Sequence, residues 1–245
     1  MEKLRPRAIL FDLGSTLIEY ETVSWDELSE TCVKNGRRFL AGRGIEVPPD
    51  GVFERSFDEI RQRYRQQAAN TFVEWDIPQV VAELFDRLGI HHTERTIDEF
   101  FDAYYEKVAE LLFAYDDAAD TLARLKERYP TIGLISNTVF PERAHLAELD
   151  RFGLARYLDF TIFSSSFGLR KPHRDIFLKA ANMAGQAPSD CVYIGDRYLE
   201  DIEGPHGVGM AAILKVKEDR EYPDEMPLAT RRVSTLTELF EHIES

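Results

Sequence analysis

Cysteine is scarce in this chain: Cys32 and Cys191 are the only thiols in 245 residues. Two thiols so far apart exclude a disulfide framework and offer no metal-ligand spacing. Cys191 heads an apolar run, so a buried free thiol is the expectation there. Long hydrophobic runs are missing too. Nothing approaches a membrane span, and no early stretch joins a basic flank, an apolar centre and a cleavage-like end. Basic charge is also short, with 30 Lys and Arg against 44 Asp and Glu and a net charge of −14. That balance argues against a general nucleic-acid or anionic-membrane partner, since both rest on a basic surface. It also opposes long-range attraction of a phosphorylated ligand, which local cations and a divalent metal would have to overcome. Internal repeats and low-complexity tracts are absent. The expectation is a soluble cytoplasmic protein; oligomeric state is not readable from the chain.

What is present suits a packed core, with an apolar fraction of 44% arguing against disorder. Six short apolar runs read as strands: 8–11, 131–135, 160–163, 191–194, 211–216 and, weakly, 232–233. Their near-continuous hydrophobicity suits parallel strands buried on both faces. Helix-period stretches lie between them. Residues 118–129 place Ala119, Leu122 and Leu125 on one face, and 174–184 do the same with Phe177, Ala180 and Ala181. The tail is charged and turn-rich around Tyr222-Pro223-Asp224, with a closing helix expected at 235–242. The alternation predicts an α/β fold with a doubly wound, Rossmann-like parallel sheet. Residues 19–112 interrupt it with amphipathic helices such as 24–41 and 80–88, and with turn signals at Gly42-Arg43-Gly44 and Val47-Pro48-Pro49-Asp50-Gly51.

Chemistry-bearing residues follow the strands. Asp12 ends the run Ile9-Leu10-Phe11-Asp12-Leu13-Gly14-Ser15-Thr16-Leu17, where a carboxylate is costly to desolvate unless a partner or metal meets it. Ligands of open α/β sheets bind at this edge. Leu134-Ile135-Ser136-Asn137-Thr138, Gly168-Leu169-Arg170-Lys171-Pro172 and Val192-Tyr193-Ile194-Gly195-Asp196, continuing to Asp201, complete the series. Helix capping alone would account for Asp12 or for Ser136-Asn137-Thr138 taken singly, and an acid-rich helix start would account for Asp196 and Asp201. Taken in order, the series supplies a carboxylate, a hydroxyl, an ammonium and an acidic pair. That is the inventory for metal-assisted displacement at phosphorus.

This ordered set resembles the haloacid dehalogenase-like (HAD) superfamily of hydrolases, on its phosphatase branch. The resemblance implies a core domain from residues 1–18 and 113–245, with a helical cap domain, 19–112, inserted after the first strand. It further implies an aspartyl-phosphate formed on Asp12, on a small phosphorylated metabolite. Mg2+ would be held by Asp12, the backbone carbonyl of Gly14 and Asp196, with Asp201 holding metal-bound waters. Ser136 and neighbouring N–H groups would hold the phosphoryl group, with Asn137 orienting either its oxygens or only the turn. Lys171 would pair with both Asp12 and the phosphoryl oxygens. Arg170 reads as a surface or cap-facing charge, and His173 as an exposed histidine at a helix start.

One position departs from the pattern. Most HAD phosphatases carry a second aspartate two residues after the nucleophile, as general acid and then base, and Gly14 stands there. Some HAD phosphatases resemble this chain in having glycine there, so another group such as Glu19 or Glu21, or water, would serve. Alternatively the leaving group needs little protonation, or the chain is a catalytically quiet binding or regulatory protein. The 2-haloacid dehalogenase branch also lacks that aspartate, but resembles a metal-free site with serine and asparagine where Asp196 and Tyr198 stand. Asp12 and Asp196 would repel each other without a bridging cation, which favours the metal-dependent phosphatase.

Overall fold

The computed structural model describes residues 2–49 and 51–244; Asp50, within one of the turn signals, lies outside the described residues. Strands β1 (Ala8–Phe11), β4 (Thr131–Ser136), β5 (Phe160–Phe163), β6 (Cys191–Gly195), β7 (Ala211–Lys215) and β8 (Arg232–Val233) form one parallel sheet, in the order β5-β4-β1-β6-β7-β8. All six runs expected as strands therefore pair. β1 lies between β4 and β6, with Leu10 opposite Gly133 on one side and Tyr193 on the other. Ile9 and Phe11 pack into the larger apolar core, while Ala8 and Leu10 face a second cluster containing Ile176 and Phe177. Burial on both faces is why the strands read as unbroken apolar runs.

Helix α5 (Ala118–Lys126) leads into β4, and α6 (Glu142–Arg151) and α8 (Arg174–Met183) follow β4 and β5, with short turns α7 (Ser164–Phe167), α9 (Gly204–His206) and α10 (Leu239–His242). In α5 the fully buried residues are Ala118, Leu122 and Leu125; Ala119 is half-buried, a rotation of the expected stripe by one position. The closing helix is shorter than expected, because a 3-10 turn at Leu236–Glu238 precedes α10.

Between β2 (Ile18–Glu19) and β3 (Phe113–Ala114) the chain forms α1 (Trp25–Gly42), α2 (Val52–Thr71), α3 (Ile77–Leu88) and α4 (Glu94–Leu111). β2 and β3 pair antiparallel, closing the ends of the helical segment onto each other; so short a pair is invisible to periodicity. Asp76 caps α3 by accepting from the Gln79 N–H, and Gly89 ends it in the left-handed region. Thr93 caps α4 in the same way. α1 crosses α4 at Gly36, where a Cβ would lie 2.4 Å from the Phe100 ring. No helix among the described residues is long and apolar enough to cross a membrane.

Candidate active site

The carboxyl ends of β1, β4 and β6 converge on one cavity of about 370 Å³, lined among others by Asp12, Gly14, Ser136, Asn137 and Lys171. Asp12 is buried, and its N–H still donates to Ile194 O at 2.8 Å, so the sheet fixes the backbone that carries the carboxylate. Lys171 Nζ donates to Asp12 Oδ1 (2.6 Å), Asp201 Oδ1 (2.7 Å) and the Tyr193 hydroxyl (2.8 Å), which spends all three ammonium hydrogens. Tyr193 passes the chain of bonds on to Ile135 O at 3.0 Å.

Asp201 reaches this point because residues Tyr198–Glu203 wind as a π-helical turn after β6. Its Oδ2 accepts the Asp196 N–H at 3.1 Å and the Arg197 N–H at 2.9 Å. Only glycine permits the fold-back, since a Cβ on Gly195 would lie 2.4 Å from Asp201 Cγ. Asp12, Asp196 and Asp201 offer oxygens that all lie within 4.8 Å of one another. Both carboxylate oxygens of Asp196 are buried without a hydrogen-bond partner among the described residues. The Arg220 guanidinium lies 2.7 Å from Asp196 Oδ2 as an ion pair, but off the hydrogen-bonding direction. Paired lone electrons on hard oxygens, buried and undonated, suit a divalent cation such as Mg2+.

Burial pushes the Asp12 carboxyl up to about 6; Lys171 opposes the rise and the Asp201 charge adds to it. Burial raises Asp196 well above the carboxylate range, and Asp12 and Asp201 raise it further. Burial alone would lower Lys171, yet Asp12 and Asp201 outweigh it and hold the ammonium above its usual value. The cluster is thus short of positive charge around Asp196, even with Lys171 and Arg220 present.

The other expected residues sit as follows. Ser136 ends β4, buried, and lines the cavity. The Asn137 side chain is engaged twice by the Lys171 backbone: Nδ2 donates to its carbonyl at 2.9 Å and Oδ1 accepts its N–H at 2.7 Å. That supports the turn-orienting reading of Asn137, because both amide atoms are spent on the loop that carries Lys171. Arg170 faces the helical segment, 3.5 Å from buried Glu74. His173 caps α8 through its ring nitrogen on the Asp175 N–H. Cys32 and Cys191 are both free and buried.

Glu19 and Glu21, offered above as replacements for the missing acid, are held by cations. Lys217 lies 3.2 Å from Glu19 and 3.0 Å from Glu21, and Arg197 and Arg220 also pair with Glu21. Burial raises both carboxyls, but hydrogen bonds and these cations outweigh it and set both below their ordinary value. A carboxyl held ionised in this way is a poor proton donor. Sequence reasoning missed a buried cluster on the opposite wall: Tyr20, Tyr105, Thr138, His145 and Glu148. Its one local signal is the three-residue spacing of His145 and Glu148 on α6, which places both on one helix face. It also missed Arg220, which stands in an unremarkable charged tail.

Comparison with known proteins places this geometry. Residues 6–209 match the family model for haloacid dehalogenase-like hydrolase. A glyceraldehyde 3-phosphate phosphatase of Methanopyrus kandleri is 25% identical over 227 residues, covering 89% of this chain and 91% of the relative. Among solved structures, a 2-haloacid dehalogenase from Pseudomonas syringae pv. Tomato DC3000 superposes with a TM-score of 0.71 at 21% identity, covering 97% of both chains. A HAD phosphatase from Thermococcus onnurineus superposes with a TM-score of 0.65 at 24% identity, covering 96% of both chains. At these identities the two structures speak for the fold alone; the family match spans most of the sequence, and the chain belongs to the haloacid dehalogenase-like hydrolases.

Proposed function

We propose that the protein is a Mg2+-dependent phosphomonoesterase acting on a small phosphorylated metabolite through an aspartyl-phosphate intermediate, with residues 19–112 forming a cap over the site. The observation that carries the reading is Asp196: a buried carboxylate beside Asp12, with no hydrogen bond to either oxygen. A metal-free dehalogenase has no use for such a group and would have to bear its repulsion against Asp12. The phosphatase name of the Methanopyrus relative agrees with it.

Asp12 attacks phosphorus, and its Oδ–P bond forms as the bond to the leaving oxygen breaks. On becoming an acyl phosphate, Asp12 loses its carboxylate charge, and the Lys171 hydrogen that it held at 2.6 Å turns to a phosphoryl oxygen. Asp201, fixed by two backbone N–H groups, keeps the ammonium in place through this exchange. Ser136, at the end of β4, donates its hydroxyl to the phosphoryl group; Asn137 serves by holding the Lys171 loop. Asp12, Asp196, Asp201 and the Gly14 carbonyl are the groups that would hold Mg2+, which supplies positive charge to the phosphoryl oxygens. Water then cleaves the aspartyl-phosphate. Two free buried thiols and a net charge of −14 support a cytoplasmic protein without a nucleic-acid or membrane partner.

The test is phosphate release across sugar phosphates, nucleotides and acyl phosphates, with Mg2+ and with EDTA. Mg2+-dependent release that vanishes in Asp12→Asn is the expected result. Halide release from a 2-haloacid without Mg2+ would replace this reading with the dehalogenase. Mg2+ binding with no turnover of any substrate would replace it with a quiet binding protein.

A further inference from the structure

Gly14 has no side chain at the position where a proton-transferring carboxylate is expected, and the space it leaves faces Tyr20. A Cβ on Gly14 would lie 3.5 Å from Tyr20 Cδ2. Tyr20 is buried, lines the cavity with Asp12, and is near enough for the Asp12 charge to act on it. Its hydroxyl donates to Glu148 Oε2 and lies 3.2 Å from His145 Nδ1. His145 Nδ1 is 2.8 Å from the same Glu148 oxygen, so phenol, imidazole and carboxylate close a triangle. The imidazole is fixed from its other side by Thr138 Oγ1, 2.6 Å from Nε2, and by the Phe163 ring stacked at 5.1 Å. Tyr105, from α4, donates to the second oxygen of Glu148.

His145 and Glu148 are 2% and 4% exposed. Burying an imidazole and a carboxylate together is costly, and apolar side chains of similar volume would pack the same space without that cost. The phosphoryl-transfer steps above use none of these groups, and Glu19 and Glu21 are locked as carboxylates by cations. Glu74, the remaining buried acid of the cavity, spends Oε2 on the Ser164 hydroxyl and Oε1 on Arg170.

We propose that Tyr20 is the proton-transfer residue of this site, with His145 and Glu148 as the positioning residues that restock its proton. The proposal rests on the phosphomonoesterase reading. As the bond from phosphorus to the leaving oxygen breaks, that oxygen takes the Tyr20 hydroxyl proton, and Tyr20 takes the proton shared between His145 Nδ1 and Glu148 Oε2. In the second half, water attacks phosphorus, the bond to Asp12 breaks, and the water proton returns through Tyr20 to His145. Ester plus water give alcohol plus phosphate, and every group regains its starting state. A free phenol is a stronger acid than a departing alcohol, whose pKa is close to that of water at about 15.7; burial and the Glu148 charge raise Tyr20 well above its ordinary value and narrow that margin.

Leaving-group dependence tests this. Tyr20→Phe keeps the ring and removes the proton. It is expected to lower kcat/KM for an alkyl phosphate by roughly 10²–10⁴-fold, the usual worth of general acid help. The kcat/KM of p-nitrophenyl phosphate, whose anion leaves unaided, should change little, while the loss of Tyr20 from the hydrolytic half shows in kcat for both substrates. His145→Asn should show the same skew more weakly, and adding it to Tyr20→Phe should cost little more, since the two act in series. If Tyr20→Phe fails to fold, His145→Asn carries the same comparison. Equal losses of kcat/KM on both substrates would overturn the proposal and leave the cluster a purely structural tie, as would no loss on either. Wild-type protein that releases phosphate from neither ester would overturn the underlying reading instead, and this is seen before any substitution is made.

Discussion

The two walls of the cavity hold their charge in different ways. On the sheet wall, Asp12, Lys171, Asp201 and Asp196 are full charges set against one another at strand ends, with Asp196 under-compensated. On the helical wall, Tyr20, Tyr105 and His145 share the buried Glu148 carboxylate through hydroxyl and ring nitrogen contacts, with Glu74 and Ser164 as a second such contact. The first wall is built to exchange a charge when a ligand or metal arrives. The second is closed on itself apart from Tyr20, which lines the cavity, and it ties the helical segment to the core through α6 and α7.

If that contrast is right, the largest effects on activity and on stability should both come from the buried charges of the sheet wall, with smaller effects from helical-wall groups outside the Tyr20 proton path. Asp12→Asn removes the attacking carboxylate, and kcat for phosphate release should fall by roughly 10⁴–10⁶-fold, as for other nucleophile deletions, with the fold intact by circular dichroism. Lys171→Met leaves Asp12 and Asp201 as unpaired buried carboxylates. Denaturant unfolding at neutral pH should register a loss of about 3–5 kcal/mol. The Asp12→Asn/Lys171→Met double variant should recover part of that loss, because one stranded charge goes with it.

Arg220→Ala probes the under-compensation directly. Removing a guanidinium 2.7 Å from Asp196 Oδ2 removes a competitor for that oxygen, so Mg2+ titrated by calorimetry should bind roughly tenfold tighter, a change of about 1.4 kcal/mol. Weaker binding would mean that Arg220 orients Asp196 rather than competing for it. On the opposite wall, Tyr105→Phe should cost about 1 kcal/mol of stability, the worth of one hydrogen bond whose acceptor keeps other donors, and leave kcat within threefold.

The sheet wall was legible where its residues follow an apolar run, since a strand end fixes where the next side chain stands; Lys171 and Asp201 follow no such run. Asp12, Ser136 and Asp196 could be placed from that rule alone. Asn137 lines the cavity, but nothing in Ser136-Asn137-Thr138 says that its amide turns to the Lys171 backbone. The π-helical turn that folds Asp201 back was equally hidden, although Gly195 before it is the signal: a side chain there would collide with the carboxylate. The helical wall left no comparable trace. Glu148 meets Tyr20 and Tyr105 across 128 and 43 residues, and Glu74 meets Ser164 across 90. Such pairs are decided by how the helices dock, not by any local pattern. Gly14 marked a missing function; the ring that faces it became visible only in three dimensions.

The smallest expected effect concerns pH and separates the walls by sign. Burial raises the Glu74 carboxyl above its ordinary value, against the opposing pull of Arg170 and the Ser164 hydroxyl. A carboxyl with a raised folded pKa binds its proton more tightly when folded, so its contribution to stability is full below the unfolded value of about 4.3 and declines as pH rises through the folded one. Glu19, at the end of β2 and paired with Lys217, has a lowered carboxyl, so its contribution is present above the unfolded pKa and declines as pH falls through the folded one. Unfolding free energies of wild type and Glu74→Gln, measured from pH 4 to 8, should therefore diverge in favour of the variant as pH rises. The same series with Glu19→Gln should diverge in favour of wild type. If both series run in one direction, the two carboxylates are governed by the net charge of the chain, and the contrast between a closed wall and an open one loses its electrostatic basis.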